Sequence, residues 1–106
     1  RLTVRAWDNW MYDLEEEFDG EELIDVIDDW LADNTVQGRY NLSDATETTM
    51  RFEQVRIPLY DDKGRAVDAR SYARNLRKYL RDEPYEIESK LLTRGLGEVV
   101  LILGEK

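Results

Sequence analysis

The chain has 106 residues, with 24 acidic and 15 basic side chains, a formal net charge of −9 and neither histidine nor cysteine. That length suits a single domain, residues 1–106, built on one core. The missing residue types exclude disulfides, thiolate- or imidazole-held metals and every histidine-dependent nucleophile, while the negative charge disfavours free nucleic acid and anionic membranes as partners.

An apolar content of 42%, with 10% aromatic residues, predicts a folded chain. In chain order, Leu2 and Val4 alternate with polar neighbours and predict a short first strand over 1–6. Trp10, Leu14 and Phe18 recur at four-residue steps, with Met11 beside them and Asp8 or Asn9 available as a cap, so a first helix is expected there. Beyond Asp19-Gly20, Leu23, Ile24, Val26, Ile27, Trp30 and Leu31 form an apolar helical stripe. This predicts a second helix over about 20–33, with Asp19 and Glu22 as a capping box and Phe18 and Leu23 as a hydrophobic staple.

Residues 34–49 are polar and read as a loop around one short strand near 38–42, followed by a β-rich stretch ending at Pro58. Asp61-Asp62-Lys63-Gly64 reads as a hairpin turn. A third helix is expected over about 68–81, capped by Asp68, with Ala69, Tyr72, Ala73, Leu76, Tyr79 and Leu80 on its apolar side. An alternating strand over 85–92 and a continuous apolar strand from Val99 to Leu103 close the chain. A strand apolar on both faces is expected to be central, covered by helices on both sides of the sheet or by a second subunit, which makes a homodimer an expectation too. The fold class is therefore α+β: a small, mostly antiparallel sheet with an acidic N-terminal helical pair and a basic third helix.

Charge is segregated along the chain. Residues 8–33 hold twelve acids and no base, whereas the remaining eighty hold twelve acids and fifteen bases. A helix shaped only by solubility mixes signs, because each Glu/Lys pair at i,i+4 contributes about 0.2–0.5 kcal/mol and like charges lose as much. This segment forgoes that gain throughout. Its candidate partner-binding residues are Glu15, Glu16, Glu21, Glu22, Asp25, Asp28 and Asp29, with Trp7 and Tyr12 as anchors that miss the helical stripe. A secondary basic face gathers Arg70, Arg74, Arg77, Lys78 and Arg81 on the third helix.

Catalytic and cofactor patterns fail on inspection. Gly20 as the sixth residue of a calcium loop puts Val26 where the bidentate Glu belongs. Gly95-x-Gly97 precedes a strand, so it reads as a turn and not a phosphate loop. Glu88 and Lys90 look superficially like the acid-x-Lys half of a metal-dependent nuclease, with Asp61 or Asp62 needed as the second carboxylate. The longest apolar run is five residues, against roughly 20 for a membrane-spanning helix. No signal-like segment follows Arg1, and a cytoplasmic location is the expectation.

Together these readings predict a non-enzymatic acidic interaction protein with no cofactor and no metal, whose partner is a basic protein surface, as in a nucleic-acid-handling protein. In composition it resembles the inhibitors with which phages and mobile elements mimic nucleic-acid charge. The alternative is a structural or assembly subunit, of a virion or a small complex, that oligomerises through complementary acidic and basic helices.

Overall fold

The computed structural model describes residues 1–58, 60, 63–94 and 98–105. Within them the chain forms β1 (Leu2–Ala6), β2 (Glu17–Phe18), β3 (Glu21–Glu22), α1 (Leu23–Asn34), β4 (Asn41–Ala45), β5 (Thr49–Glu53), α2 (Ala69–Arg81), β6 (Ser89–Thr93) and β7 (Val99–Leu103). The α+β class holds. Of the expected turns, Asp61 and Asp62 of 61–64 and residues 95–97 lie outside the described residues; Gly64 takes positive φ (78°).

Five strands form one mixed sheet in the order β4-β5-β1-β7-β6. The two hairpins, β4–β5 and β6–β7, are antiparallel, and β5 joins β1 antiparallel, but β7 runs parallel to β1 with Leu2 beside Val99 and Ala6 beside Leu103. The sheet is thus mixed, with a parallel pair at its centre joining the two ends of the chain.

Alternation decides the layers. Leu2, Val4, Met50, Phe52, Val99, Leu101 and Leu103 point to one side and share a single buried cluster with Leu23, Val26, Ile27, Trp30 and Leu31 of α1 and Tyr72, Ala73, Leu76 and Leu80 of α2. Both helices therefore cover the same face. Of the two covers expected for the last strand, that of helices on both faces is corrected: Val100 and Ile102 are buried on the side without helices, where their cross-strand neighbours are Thr3 and Leu92, and Arg5 and Lys90. Long cationic side chains shield apolar strand residues with their methylene stems while their charged heads stay in water.

The expected first helix does not form. Residues 8–16 run as a strap, pinned by the fully buried Leu14, whose N–H donates to the carbonyl of Glu47. Asp19 and Gly20 both take positive φ (55° and 86°) as the two-residue loop of the β2–β3 hairpin, in which Glu17 pairs with Glu22 and Phe18 with Glu21. Asp-Gly is among the strongest two-residue hairpin signals because both positions accept a left-handed backbone, and Asn, Trp, Tyr and Asp in 9–13 are weak helix formers. The acidic helical pair is thus one helix and one hairpin.

The strap also explains how α1 begins without a side-chain cap. Glu22 occupies the cap position and makes no such bond; instead the N–H groups of Leu23 and Ile24 donate to the carbonyls of Glu16 (3.0 Å) and Leu14 (2.9 Å). Two of the four orphan amides of the helix start are satisfied by backbone. At the other end the Asn34 amide and Thr35 hydroxyl donate to the carbonyls of Trp30 and Leu31. α2 follows the sequence reading closely, with Asp68 accepting from the Ser71 N–H at 2.7 Å and Lys78 and Arg81 in the last turn.

Candidate functional site

The acidic residues lie along one flank of the helix layer. On α1, Asp25 and Asp29 are exposed and Asp28 is half-buried; Glu21 and Glu22 are exposed on β3, and Glu15 and Glu16 on the strap. The expected helix over about 20–33 is corrected at its start, because Glu21 precedes it on a strand. Asp33 is exposed four residues beyond Asp29. Asp33 sits in a last turn that holds no base, where the helix dipole disfavours a carboxylate by about 0.3–1 kcal/mol.

Asp28 is partly committed inside the molecule. The Tyr40 hydroxyl donates to its Oδ1 at 2.7 Å and to its backbone carbonyl at 3.2 Å. Burial, and then this bond and the charges of Asp28 and Asp29, push the Tyr40 hydroxyl pKa up to about 12.

Few of these carboxylates meet the protein's own cations. Between described residues three ion pairs form: Arg1 with Glu53 (3.1 Å), Arg5 with Asp8 (3.6 Å) and Lys90 with Glu105 (3.7 Å). Asp8 is the one member of the 8–33 segment among them. The basic face of α2 takes part in none: Arg70, Arg74, Lys78 and Arg81 are exposed, and Arg77 is half-buried with its Nε unpartnered. α1 and α2 meet through aromatic contacts, Trp30 lying 5.1 Å from Tyr72 and 6.5 Å from Tyr79 between ring centroids.

Beside the acidic flank lies an aromatic corner. Trp10 stacks on Phe18 at 6.4 Å with 9° between the rings, and Tyr12 meets both edge-on at 5.5 and 5.6 Å. Met11 is 82% exposed and Tyr12 40%. These residues, with Tyr85, Ile87 and Gly104, line a groove of about 530 Å³ whose rim carries Glu86 and Glu88. The Tyr85 hydroxyl is raised to about 12 by its hydrogen bond with Tyr79, then by burial, then by charges that include Glu21 and Asp19. The hairpin's carboxylates thus border the same corner.

Of the two expected anchors, Tyr12 belongs to this groove. Trp7 does not: it is half-buried at the end of β1, with its N–H donating to the Leu103 carbonyl. Tyr85, Glu86, Ile87, Glu88 and Gly104 were missed; the one local signal was Trp10-Met11-Tyr12, three large residues in succession that no single helical or strand face can bury together.

A family described as a domain of unknown function, DUF6175, matches residues 1–104. The chain belongs to that family. No curated protein and no solved structure matches this DUF6175 chain.

In this DUF6175 domain, among the described residues, no group of three or more carboxylates is placed to hold a metal ion, and no helix is long and apolar enough to cross a membrane. The Lys90 ammonium of the nuclease-like tripeptide is engaged by Glu105, and Asp61 and Asp62 lie outside the described residues. What the groove and flank offer chemically is a set of partly exposed aromatic rings and exposed carboxylates, a combination suited to cations: a guanidinium or ammonium over an aromatic ring contributes about 0.5–1 kcal/mol when exposed and about 2 when desolvated.

Proposed function

We propose that the domain is a non-catalytic binding module that captures a cationic protein surface, of the kind that nucleic-acid-handling proteins expose. The supporting observation is the scarcity of internal neutralisation: of the twelve carboxylates in 8–33, Asp8 alone is ion-paired between described residues, in a chain with fifteen bases. On α1, Asp25, Asp28, Asp29 and Asp33 span eight residue steps, about 12 Å at 1.5 Å per residue. That is roughly one charge per 3–4 Å, close to the roughly 3.4 Å between phosphates along one DNA strand. Charge accelerates encounter and makes it salt-sensitive, while the Trp10, Tyr12 and Phe18 corner supplies the apolar anchor. An inhibitor that mimics nucleic acid would work in this way.

The test starts with affinity capture to identify a partner, followed by binding measured across a salt series. Replacing Glu21, Asp25 and Asp29 together by Lys leaves the core and the Tyr40–Asp28 bond in place. We expect affinity to fall by at least about tenfold, mostly through the association rate. Unchanged affinity at physiological salt ends this reading.

One observation favours assembly as a second reading: the cations of α2 lie in the same helix layer as α1 and form no ion pair between described residues. Copies meeting acidic flank to basic helix would grow into salt-reversible rings or filaments, which light scattering detects.

A further inference from the structure

The sheet face away from the helices carries a feature of the opposite sign. There β5, β1 and the ends of β6 and β7 frame a cavity of about 470 Å³, lined by Arg1, Arg5, Arg51 and Arg94, by Thr3, Thr48 and Thr49, and by two acids, Asp8 and Glu98. Register places the cations on one surface: Arg51 lies directly opposite Thr3, and Arg5 opposite Thr49, so Arg5 and Arg51 are diagonal neighbours across the β1–β5 pair, about 7–8 Å apart. Thr3 in turn neighbours Val100, which lies on the cavity floor.

The charges are available. Arg51 and Arg94 are exposed and enter no ion pair between described residues. Arg5 is held by Asp8 at 3.6 Å, a long contact to a carboxylate that is 89% exposed, and such surface pairs are weak enough to exchange for a better acceptor. Four arginines against two acids in a chain of net charge −9 is a local inversion of sign. A guanidinium presents paired N–H donors that fit the edge of an oxyanion, and threonine hydroxyls add rotatable donors around it.

We propose that this cavity binds a compact phosphate-bearing ligand of diphosphate size, held by Arg5, Arg51 and Arg94 with Thr3 and Thr49. Compactness follows from the surroundings. Asp8 and Glu98 line the cavity with the arginines, and Glu53 engages Arg1, so a long polyanion would leave the arginines for carboxylates and for the negative field of the whole molecule. The site lies on the opposite face from the acidic flank and is independent of it.

The experiment is a titration of the isotope-labelled chain, followed by amide chemical shifts at constant ionic strength, with inorganic pyrophosphate in one arm and a nucleoside diphosphate in the other. The expected result is saturable movement of the amides of Thr3, Arg5, Thr49, Arg51 and Val100. Substituting Arg51→Gln with Arg94→Gln weakens binding about tenfold or more, while Arg74→Gln with Lys78→Gln leaves it as in the wild type. Both substituted pairs are exposed, and an otherwise superimposable spectrum confirms the fold. Tighter binding of the nucleoside diphosphate shows that the site takes an ester, and equal binding that inorganic diphosphate suffices. Shifts centred on α2, movement that never saturates, or undiminished binding by the Arg51/Arg94 variant overturns the proposal.

Discussion

Replacing Gly104 by alanine probes how the aromatic corner is held in place. Gly104 follows β7 with φ +88°, and its N–H donates to the Glu88 carbonyl at 2.7 Å. A side chain in that left-handed conformation costs about 1–2 kcal/mol. A Cβ there would also fall within 2.6 Å of Trp10 Cγ, Cδ1 and Cδ2, where carbon atoms in contact sit at about 3.5–4.0 Å. The indole must therefore withdraw by about 1 Å, and such overpacking typically costs about 1–3 kcal/mol. We expect G104A to lose about 2–5 kcal/mol in urea unfolding, and to lose Trp10–Phe18 stacking as seen in near-ultraviolet circular dichroism. The cycle with W10A separates the two contributions, since with the ring gone the same substitution should cost only the backbone share of about 1–2 kcal/mol. A loss below about 0.5 kcal/mol, or an equal loss in both backgrounds, would refute the reasoning.

Other changes test single contacts. The Tyr72 hydroxyl is buried without a hydrogen-bond partner, and burial pushes its pKa up; Y72F should therefore hold or raise stability, by about 1 kcal/mol, in urea unfolding, and a clear loss would show that the hydroxyl is bonded in solution. Asp33→Lys should stabilise the fold by about 0.3–1 kcal/mol by relieving the end of α1, while weakening any cationic partner; a melting temperature at or below that of the wild type contradicts this. Tyr40 and Tyr85 have folded pKa values raised from 10.0 to about 12. Their contribution is complete below pH 10 and is lost as pH rises through about 12, so alkaline unfolding should be accompanied by phenolate absorbance. In Y40F the onset should be less steep, and an unchanged titration would dismiss the Tyr40–Asp28 bond as its cause.

Local signals carried the elements whose neighbours are close in sequence. The apolar stripe and the Asp68 cap marked α2 to within a residue, because amphipathic period and cap agree there; of the stripe, Tyr72, Ala73, Leu76 and Leu80 are buried, while Ala69 is half-buried and Tyr79 is exposed. The stripe of α1 was legible as well, but its start was not. Asp19-Gly20 satisfies both a capping box and a hairpin loop, and the tie is broken by carbonyls of Leu14 and Glu16 arriving from a strap whose path depends on Leu14 finding the core. Trp10, Leu14 and Phe18 imitated a helix by spacing alone. The parallel β1–β7 pairing joins the two ends of the chain and leaves no mark in either strand. The groove was hidden for the same reason: Trp10, Tyr85 and Gly104 come from three distant segments, and only the assembled fold brings them together. The acidic composition itself was plain, but whether internal cations cancel it is a question of three-dimensional placement.

The backbone bonds from Leu23 and Ile24 to the strap have a mechanical consequence. The strap carrying Trp10 and Tyr12 is stitched at one end to the first turn of α1 and, through Leu14 and Glu47, to the connection leading into β5. A partner of the kind proposed would therefore meet rings and carboxylates already fixed on a common chassis, with little freedom left to surrender on contact. Force applied at the aromatic corner would pass along that seam into the helix instead of being absorbed by a loose loop.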